Sequence, residues 1–194
     1  MKTFIRPAIS LFILLSVITG LLYPIATTGI GKILFPTQAS GSLIEQNHKV
    51  LGSTLIGQQF SSPGYFWGRP SATGPMPYNG VNSGGSNFGP SNPAQKAAVA
   101  DRVKALHEAD PANTLAIPVD LVTASGSGLD PEISPAGATY QIGRIAKARD
   151  ISATMLEHLI LQHTVTPQFG VLGEARVNVL ELNLALDRLS SAKS

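Results

Sequence analysis

The chain of 194 residues contains no cysteine. That absence excludes disulfide staples, a thiolate nucleophile and any Cys-ligated metal. Charge is scarce as well: Asp, Glu, Lys and Arg make up only 13% of the residues, and the net charge of +2 has no basic cluster behind it. Nucleic acid is therefore excluded as a partner, because phosphate backbones are held by a concentrated positive face. Two long stretches carry no charge at all, one between Arg6 and Lys32 and one between Arg69 and Lys96. They differ sharply in composition, and each excludes something different.

The first stretch, Pro7 to Gly31, is a predominantly apolar run. As a helix it would be about 37 Å long, enough to cross a hydrocarbon core of about 30 Å. A cleaved secretory signal is the competing reading, with Met1 to Arg6 as a positive n-region and Ala8 to Leu22 as an apolar h-region. Against it, Ala26-Thr27-Thr28 is a poor cleavage site and apolar residues resume at Ile30, Ile33, Leu34 and Phe35. A retained anchor over residues 1–36 is expected, loosened by Pro24, Gly20, Gly29 and Gly31 where another membrane helix re-satisfies the backbone. The terminal amine, Lys2 and Arg6 on one side outweigh Lys32 on the other. By the positive-inside rule the N-terminus is cytoplasmic, and residues 37–194 form an extracytoplasmic domain on a single-pass protein of the plasma (inner) membrane.

About 160 residues remain, enough for one domain with its own core. Thr37 to Lys49 reads as a polar connector, and Val50 to Phe60, divided by Gly52 and Gly57, as a short strand or hairpin. Three consecutive aromatics, Tyr65, Phe66 and Trp67, cannot share one strand face, so at least one is expected to leave the core for another surface. The second uncharged stretch, Pro70 to Gln95, is dense in Gly, Pro, Asn and Ser. By composition it is a flexible linker, yet a loop of that length within a domain is either disordered or functional. Its Gly84-Gly85-Ser86-Asn87 step suits turns with positive φ that receive an anion or a partner's side chains.

Four helices and a small sheet are then expected. Asn92 or Ser91 caps the first helix ahead of Pro93, with Val99, Val103 and Leu106 as its buried stripe until Asp110-Pro111 stops it. His107, beside that stripe, is expected to be structural. Pro118 to Thr123 is β-branched and reads as a strand emptying into a Ser/Gly loop from Ala124 to Glu132. Ser134 caps a second helix running to about Arg149. The third begins near Ser152 on the stripe Met155, Leu156, Leu159 and Ile160. After a break from Pro167 to Gly173, Arg176-Val177-Asn178 is a short strand or turn. Asn178-Val179-Leu180-Glu181 has the form of a capping box for the last helix, whose stripe is Leu182, Ala185, Leu186 and Leu189. The tail from Ser190 is expected to fray. The fold class is α+β, with one transmembrane helix ahead of the domain.

Several catalytic look-alikes fail on context. Gly29-Ile30-Gly31-Lys32 lacks the spacing and hydroxyl of a phosphate loop and lies in the span, and Ser190-Ser191-Ala192-Lys193 lies in the tail. His158 and His163 are five apart on a helix, off a common face for zinc. The loop Ser125, Gly126, Ser127, Gly128 and Asp130 is the more serious candidate. Its hydroxyls with Asp130 and Glu132 fit a cation or an acid–base pair, and a membrane-anchored envelope hydrolase using Ser127 and Asp130 is the enzymatic alternative. The plainer reading makes Asp130-Pro131 a turn and the hydroxyls partners of backbone groups at a helix entrance.

In order, the blocks Tyr23-Pro24, Gly68-Arg69-Pro70-Ser71-Ala72, Ser83-Gly84-Gly85-Ser86-Asn87 with Gly89-Pro90, Ala124 to Pro131, Gln141 to Arg149, and Val177-Asn178-Val179-Leu180 with Leu182-Asn183 span nearly the whole chain. In that order and spacing the chain resembles the C subunit of the bacterial high-affinity potassium-transporting P-type ATPase, the Kdp complex. Glu132 departs from the His or Asn of that pattern. The resemblance implies a non-catalytic accessory subunit whose partners are a channel-like potassium-binding subunit, a P-type ATPase subunit and a small single-span subunit. ATP and potassium would be handled by the complex, with no cofactor or metal held by this chain. It further implies a catalytic chaperone that raises the pump's ATP affinity, with a nucleotide contact at Gln141. The flanking charges put the domain on the side of the membrane away from cytoplasmic ATP. The preferred mechanism is therefore support of the channel-like subunit from outside, with Tyr65, Phe66, Trp67, Arg69, Ser86 and Asn87 as the contact surface and Ser125 to Asp130 with Asn178 as a structural motif.

Overall fold

A computed structural model describes residues 2–191. The expected fraying beyond Ser190 falls mostly outside that range, while the last helix itself runs on to Ser191. The chain divides into two compact units, Met1–Leu51 and Gly52–Ser194.

In the first unit, helix α1 (Lys2–Val17) passes through a wide π-turn (Ile18–Leu22) into α2 (Tyr23–Leu34). Pro24 supplies the local reason. It has no N–H to offer the carbonyl one turn back at Gly20, and its ring crowds that carbonyl. The ladder relaxes by shifting to Tyr23 N–H donating to Ile18 C=O, a π-bulge of the kind that absorbs such a conflict. The helix from Thr3 to Leu34 has a mean hydropathy of 2.2, is not buried anywhere, and is long and apolar enough to cross a membrane. A single turn, α3 (Pro36–Ala39), follows.

The strand expected from Val50 onward is present, and its partner lies earlier. Strand β1 (Leu43–Gln46), in the stretch read as a connector, pairs with β2 (Lys49–Ser53), which opens the segment read as a strand or hairpin. Asn47 and His48 both take positive φ, at 52° and 60°, the backbone that a two-residue hairpin turn requires.

The second unit is built on α4 (Pro93–Ala109), β3 (Glu132–Ile133), α5 (Pro135–Tyr140), α6 (Ile142–Arg149), α7 (Ala153–Gln162), β4 (Thr164–Val165), β5 (Arg176–Asn178) and α8 (Val179–Ser191). The antiparallel sheet has the order β3-β5-β4, with Ile133 and Thr164 both opposite Val177. Caps fall where short polar side chains stood. Asn92 accepts from Ala94 N–H, Ser134 from Gly137 N–H, Ser152 from Met155 N–H, and Asn178 from Glu181 N–H. Phe66, Ile133, Ala138, Ile145, Leu156, Val177, Leu182 and Leu186 form the centre of the core.

Two expectations fail here for identifiable reasons. Pro118 to Thr123 is not a strand but a 3-10 turn (Val119–Leu121); Pro118 starts it, Leu121 N–H donates back to Pro118 C=O, and Leu121 and Val122 are buried without a ladder partner. The helix from Ser134 to Arg149 is two helices, broken at Gln141. There the backbone N–H of Gln141 takes the carbonyl of Ala138 and its side-chain amide takes that of Gly137, so a polar side chain replaces part of the helical ladder. His107 is exposed, and Met155 lies outside the buried stripe of α7.

Phe66 is 0% exposed at the middle of this packing. Phe66→Ala should lower the unfolding free energy of the full chain by about 3–5 kcal/mol, read from denaturant unfolding in detergent. A loss under 1 kcal/mol would mean that the core does not close on this ring.

Candidate functional site

The segment Pro63 to Arg69 crosses the domain without a strand partner, and side chains supply the missing ladder. Phe66 N–H donates to Asn183 Oδ1 at 2.8 Å while Asn183 Nδ2 donates to Phe66 C=O at 2.9 Å. One residue on, Trp67 N–H donates to Gln141 Oε1 at 2.8 Å and Gln141 Nε2 donates to Trp67 C=O at 3.1 Å. Two buried carboxamides, one from the α5–α6 junction and one from α8, each imitate a neighbouring strand's N–H and C=O pair. Arginines complete the clamp. Arg144 donates to the carbonyls of Pro63 and Tyr65 and, at 2.6 Å, to Gln141 Oε1, and its guanidinium stacks over Trp67 at 4.1 Å. Arg149 donates to Gly64 C=O, stacks over Tyr65 at 4.4 Å and pairs with Asp187 at 2.8 Å, whose other oxygen accepts from the Tyr65 hydroxyl. Burial pulls the Arg144 guanidinium down to about 10, opposed by Asp110, so it remains a cation at neutral pH.

This corrects part of the expected contact surface. Phe66 is core, and Tyr65 and Trp67 are half-buried under arginines with their polar atoms engaged. Arg69 is turned to Asp130 at 3.2 Å. Ser86 is half-buried and Asn87 exposed, the latter at φ 54°.

Around Asp130 the second part of the site is a hub. The backbone from Ser125 to Pro131 exchanges hydrogen bonds with several separated segments: Ser125 N–H to Pro70 C=O, Gly84 N–H and the Ser83 hydroxyl to Ser127 C=O, and Gly57 N–H to Leu129 C=O. Val179 N–H reaches Pro131 C=O, and the Ser71 hydroxyl reaches Gly128 C=O at 2.7 Å. Gly128 has φ +67°, and a Cβ there would collide with Thr73 and with Gly84 C=O; one on Gly85 would sit 2.9 Å from Gly126 C=O. Two backbones touch at these points, which only glycine permits. Asn178 joins the hub through Nδ2 to Thr54 C=O.

The uncharged stretch consequently is no floppy linker. Ser71 accepts from Tyr78 N–H, Thr73 accepts from Asn79 N–H and donates to Met76 C=O, and Asn79 and Asn82 both donate to Gly74 C=O. The Tyr78 hydroxyl closes the knot on Arg69 C=O. Burial pushes Tyr78 up to about 12, with Asp130 adding to it and Arg69 opposing. The hydrolase reading finds no support in this arrangement. Ser127 Oγ accepts from Leu129 N–H, and Asp130 is shared between Arg69 and Glu132 N–H. Glu132 itself pairs with Arg176 across the sheet at 2.9 Å. No group of three His, Asp or Glu that could hold a metal gathers among the described residues.

The model of the family described as "K+-transporting ATPase, c chain" (KdpC) matches residues 5–188. The chain belongs to the KdpC family. It is 59% identical to the potassium-transporting ATPase KdpC subunit of Polaromonas naphthalenivorans over 97% of this chain and 96% of that protein. The KdpC subunits of Herpetosiphon aurantiacus, 59% identical over 98% and 99% of the two chains, and of Variovorax paradoxus, 58% identical over the whole of both, are similar to the same degree.

A KdpC glutamine in contact with ATP does not fit the geometry at Gln141. The side chain is 2% exposed, and both ends of its amide are spent on Trp67, Gly137 and Arg144. A neighbouring cleft of about 1000 Å³, lined by Asp110, Asn113, Tyr140, Arg144 and Lys147, does not include it. Burial, with Asp110 adding, raises the Tyr140 hydroxyl there. The amide clamp itself was missed from sequence: an Asn and a Gln within apolar helical stripes were the signal.

Gln141→Leu keeps the shape and removes the clamp, so it should cost about 2–4 kcal/mol of unfolding free energy by stranding buried Trp67 and Arg144 groups. A nucleotide-contact role would leave stability unchanged. For Tyr78 the sign follows from a folded value above the ordinary 10: its contribution is intact below pH 10 and is lost as pH rises toward 12. Tyr78→Phe should melt lower than the parent at pH 8, and the gap should narrow between pH 10 and 12.

Proposed function

We propose that the domain supports the channel-like potassium subunit from the extracytoplasmic side, held there by its single span, and that the surface it presents is the ordered, uncharged loop from Pro70 to Gln95. The observation that carries this reading is the combination of order and exposure in that loop. Its backbone is fixed by Ser71, Thr73, Tyr78 and Asn79, yet Met76 and Phe88 remain exposed and Val81 is 98% exposed. Rigid apolar groups bind with little ordering cost, which is what a permanent subunit contact needs. The lack of charge suits an interface core, where charged residues are depleted.

Orientation rests on Lys2 and Arg6 against Lys32, and places the domain in the envelope of an inner-membrane complex. Potassium is then the cargo of the channel-like subunit, and ATP is consumed by the pump subunit on the opposite side. Any rise in the pump's ATP affinity follows from the assembled conformation that the C subunit favours, a shift of populations with no contact to nucleotide.

The cysteine-free chain makes the test clean. A Val81→Cys variant in sealed cells should react with a membrane-impermeant maleimide; labelling only in inverted vesicles would sink the topology. Val81→Asp with Phe88→Asp should leave the melting temperature of the isolated chain unchanged and reduce co-purification with the other subunits by about tenfold. Undiminished co-purification and potassium affinity would remove the loop from the interface.

A further inference from the structure

Arg102 stands on α4 one turn from Val99 and Leu106 of the buried stripe, and it is half-buried. One of its N–H groups donates to Val122 C=O at 2.9 Å. No carboxylate comes within ion-pair distance of it among the described residues, and the positions one turn away on the helix, Ala98, Val99, Ala105 and Leu106, carry no charge. Burial lowers the guanidinium below its usual value with no acidic neighbour to offset it. A half-buried cation held by a single carbonyl has lost hydration without gaining a countercharge, which costs free energy until an anion completes it.

Arg102 lines a cavity of about 270 Å³ whose walls are largely apolar, with Phe60, Trp67, Pro77, Leu106 and Leu121 around it. Among the described residues the other charged group on its lining is Arg69, and no Asp or Glu takes part. Arg69 Nη1 is spent on Asp130, while Arg69 Nε is buried and makes no hydrogen bond. Tyr78 also lines the cavity, but its hydroxyl is engaged on Arg69 C=O and pushed up to about 12 by burial, so it stays neutral. The walls are fixed in place. Trp67 is held through both backbone groups by Gln141, and a Cβ on Gly68 would lie 2.8 Å from the Tyr78 hydroxyl. A preformed apolar cavity with cationic donors and no acid selects an anion that carries an apolar body.

We propose that this cavity binds a small organic carboxylate, an anion with a compact aromatic or branched apolar body, whose charge pairs with Arg102 and whose body packs between Trp67 and Leu121. The planar guanidinium suits a carboxylate, which it can hold through two N–H groups at once. A volume of about 270 Å³ lies just under the range of pockets that take drug-sized ligands, so nucleotides and acyl chains are too large for it. Once seated, the ligand would join α4 to the base of the Pro70–Gln95 loop at Pro77 and Tyr78. The site does not depend on which surface that loop covers.

The chain's only tryptophan, Trp67, lies on the cavity wall and reports its filling. In the full chain in a nonionic detergent, phenylacetate should change the Trp67 emission saturably and raise the melting temperature. Phenylacetamide, which has the same shape without the charge, and acetate, which has the charge without the ring, should each bind at least about tenfold more weakly. Arg102→Gln keeps a donor for Val122 C=O and removes the cation; it should weaken phenylacetate about tenfold or more, with the ligand-free melting temperature unchanged or higher. Ala105→Phe, at an exposed position on the cavity rim, should fill the space and abolish the response. No saturable response to phenylacetate, benzoate or isovalerate overturns the site, as does equal binding of phenylacetate and phenylacetamide. If Arg102→Gln instead lowers the ligand-free melting temperature, Ala105→Phe decides: a response retained at the parent's affinity overturns the site, and a lost one upholds it.

Discussion

The domain depends on a hydrogen-bonding debt incurred by one unpartnered segment. Burying Phe66 and half-burying Trp67 takes their backbone groups away from water with no strand alongside, and each unsatisfied group would cost about 1–3 kcal/mol. Asn183 and Gln141 settle four of these groups with two carboxamides. Arg144 then satisfies two more carbonyls and the spare capacity of the Gln141 oxygen. The break between α5 and α6 is part of the same device, because Gln141 can face Trp67 only where the helix yields. A buried network of this kind is stable only when complete, which ties α5, α6 and α8 to one segment and leaves little freedom for any of its members to do something else.

From that anchored segment the rest of the site follows outward. Arg69 turns to Asp130, and the Ser125–Pro131 hub collects Gly57, Pro70, Ser71 and Ser83–Gly84. The hub's glycines are places where backbones meet, and its hydroxyls and Asp130 are occupied by amides. The same residues that look catalytic in a string are structural in three dimensions. Large apolar side chains also stay exposed on two loops, Met76, Val81 and Phe88 on one and Phe169 and Val171 on another.

Much of this was legible in the residues. The span followed from length and hydropathy, the helix starts from Asn92, Ser134, Ser152 and Asn178, and the last strand from Arg176-Val177-Asn178. These are local signals, each set by groups a few residues apart. The failures turned on which hydrogen-bond partners the fold supplies or withholds. Pro118 to Thr123 has strand-like residues but no neighbour to pair with, and became a turn. Pro70 to Gln95 has a linker's composition, yet its short polar side chains find carbonyls within the loop and at Gly128.

The sequence by itself determined the membrane anchor, the α+β class, the caps and the family, because hydropathy, capping and ordered motif spacing are properties of the string. Only the tertiary structure decided the roles of Phe66, Gln141 and Asp130. Whether an aromatic is a surface anchor or a core residue, or whether an amide faces a ligand or a neighbouring backbone, depends on which unsatisfied groups the fold brings within about 3 Å. No spacing rule contains that information, since Trp67 meets Gln141, and Phe66 meets Asn183, across long separations in the chain.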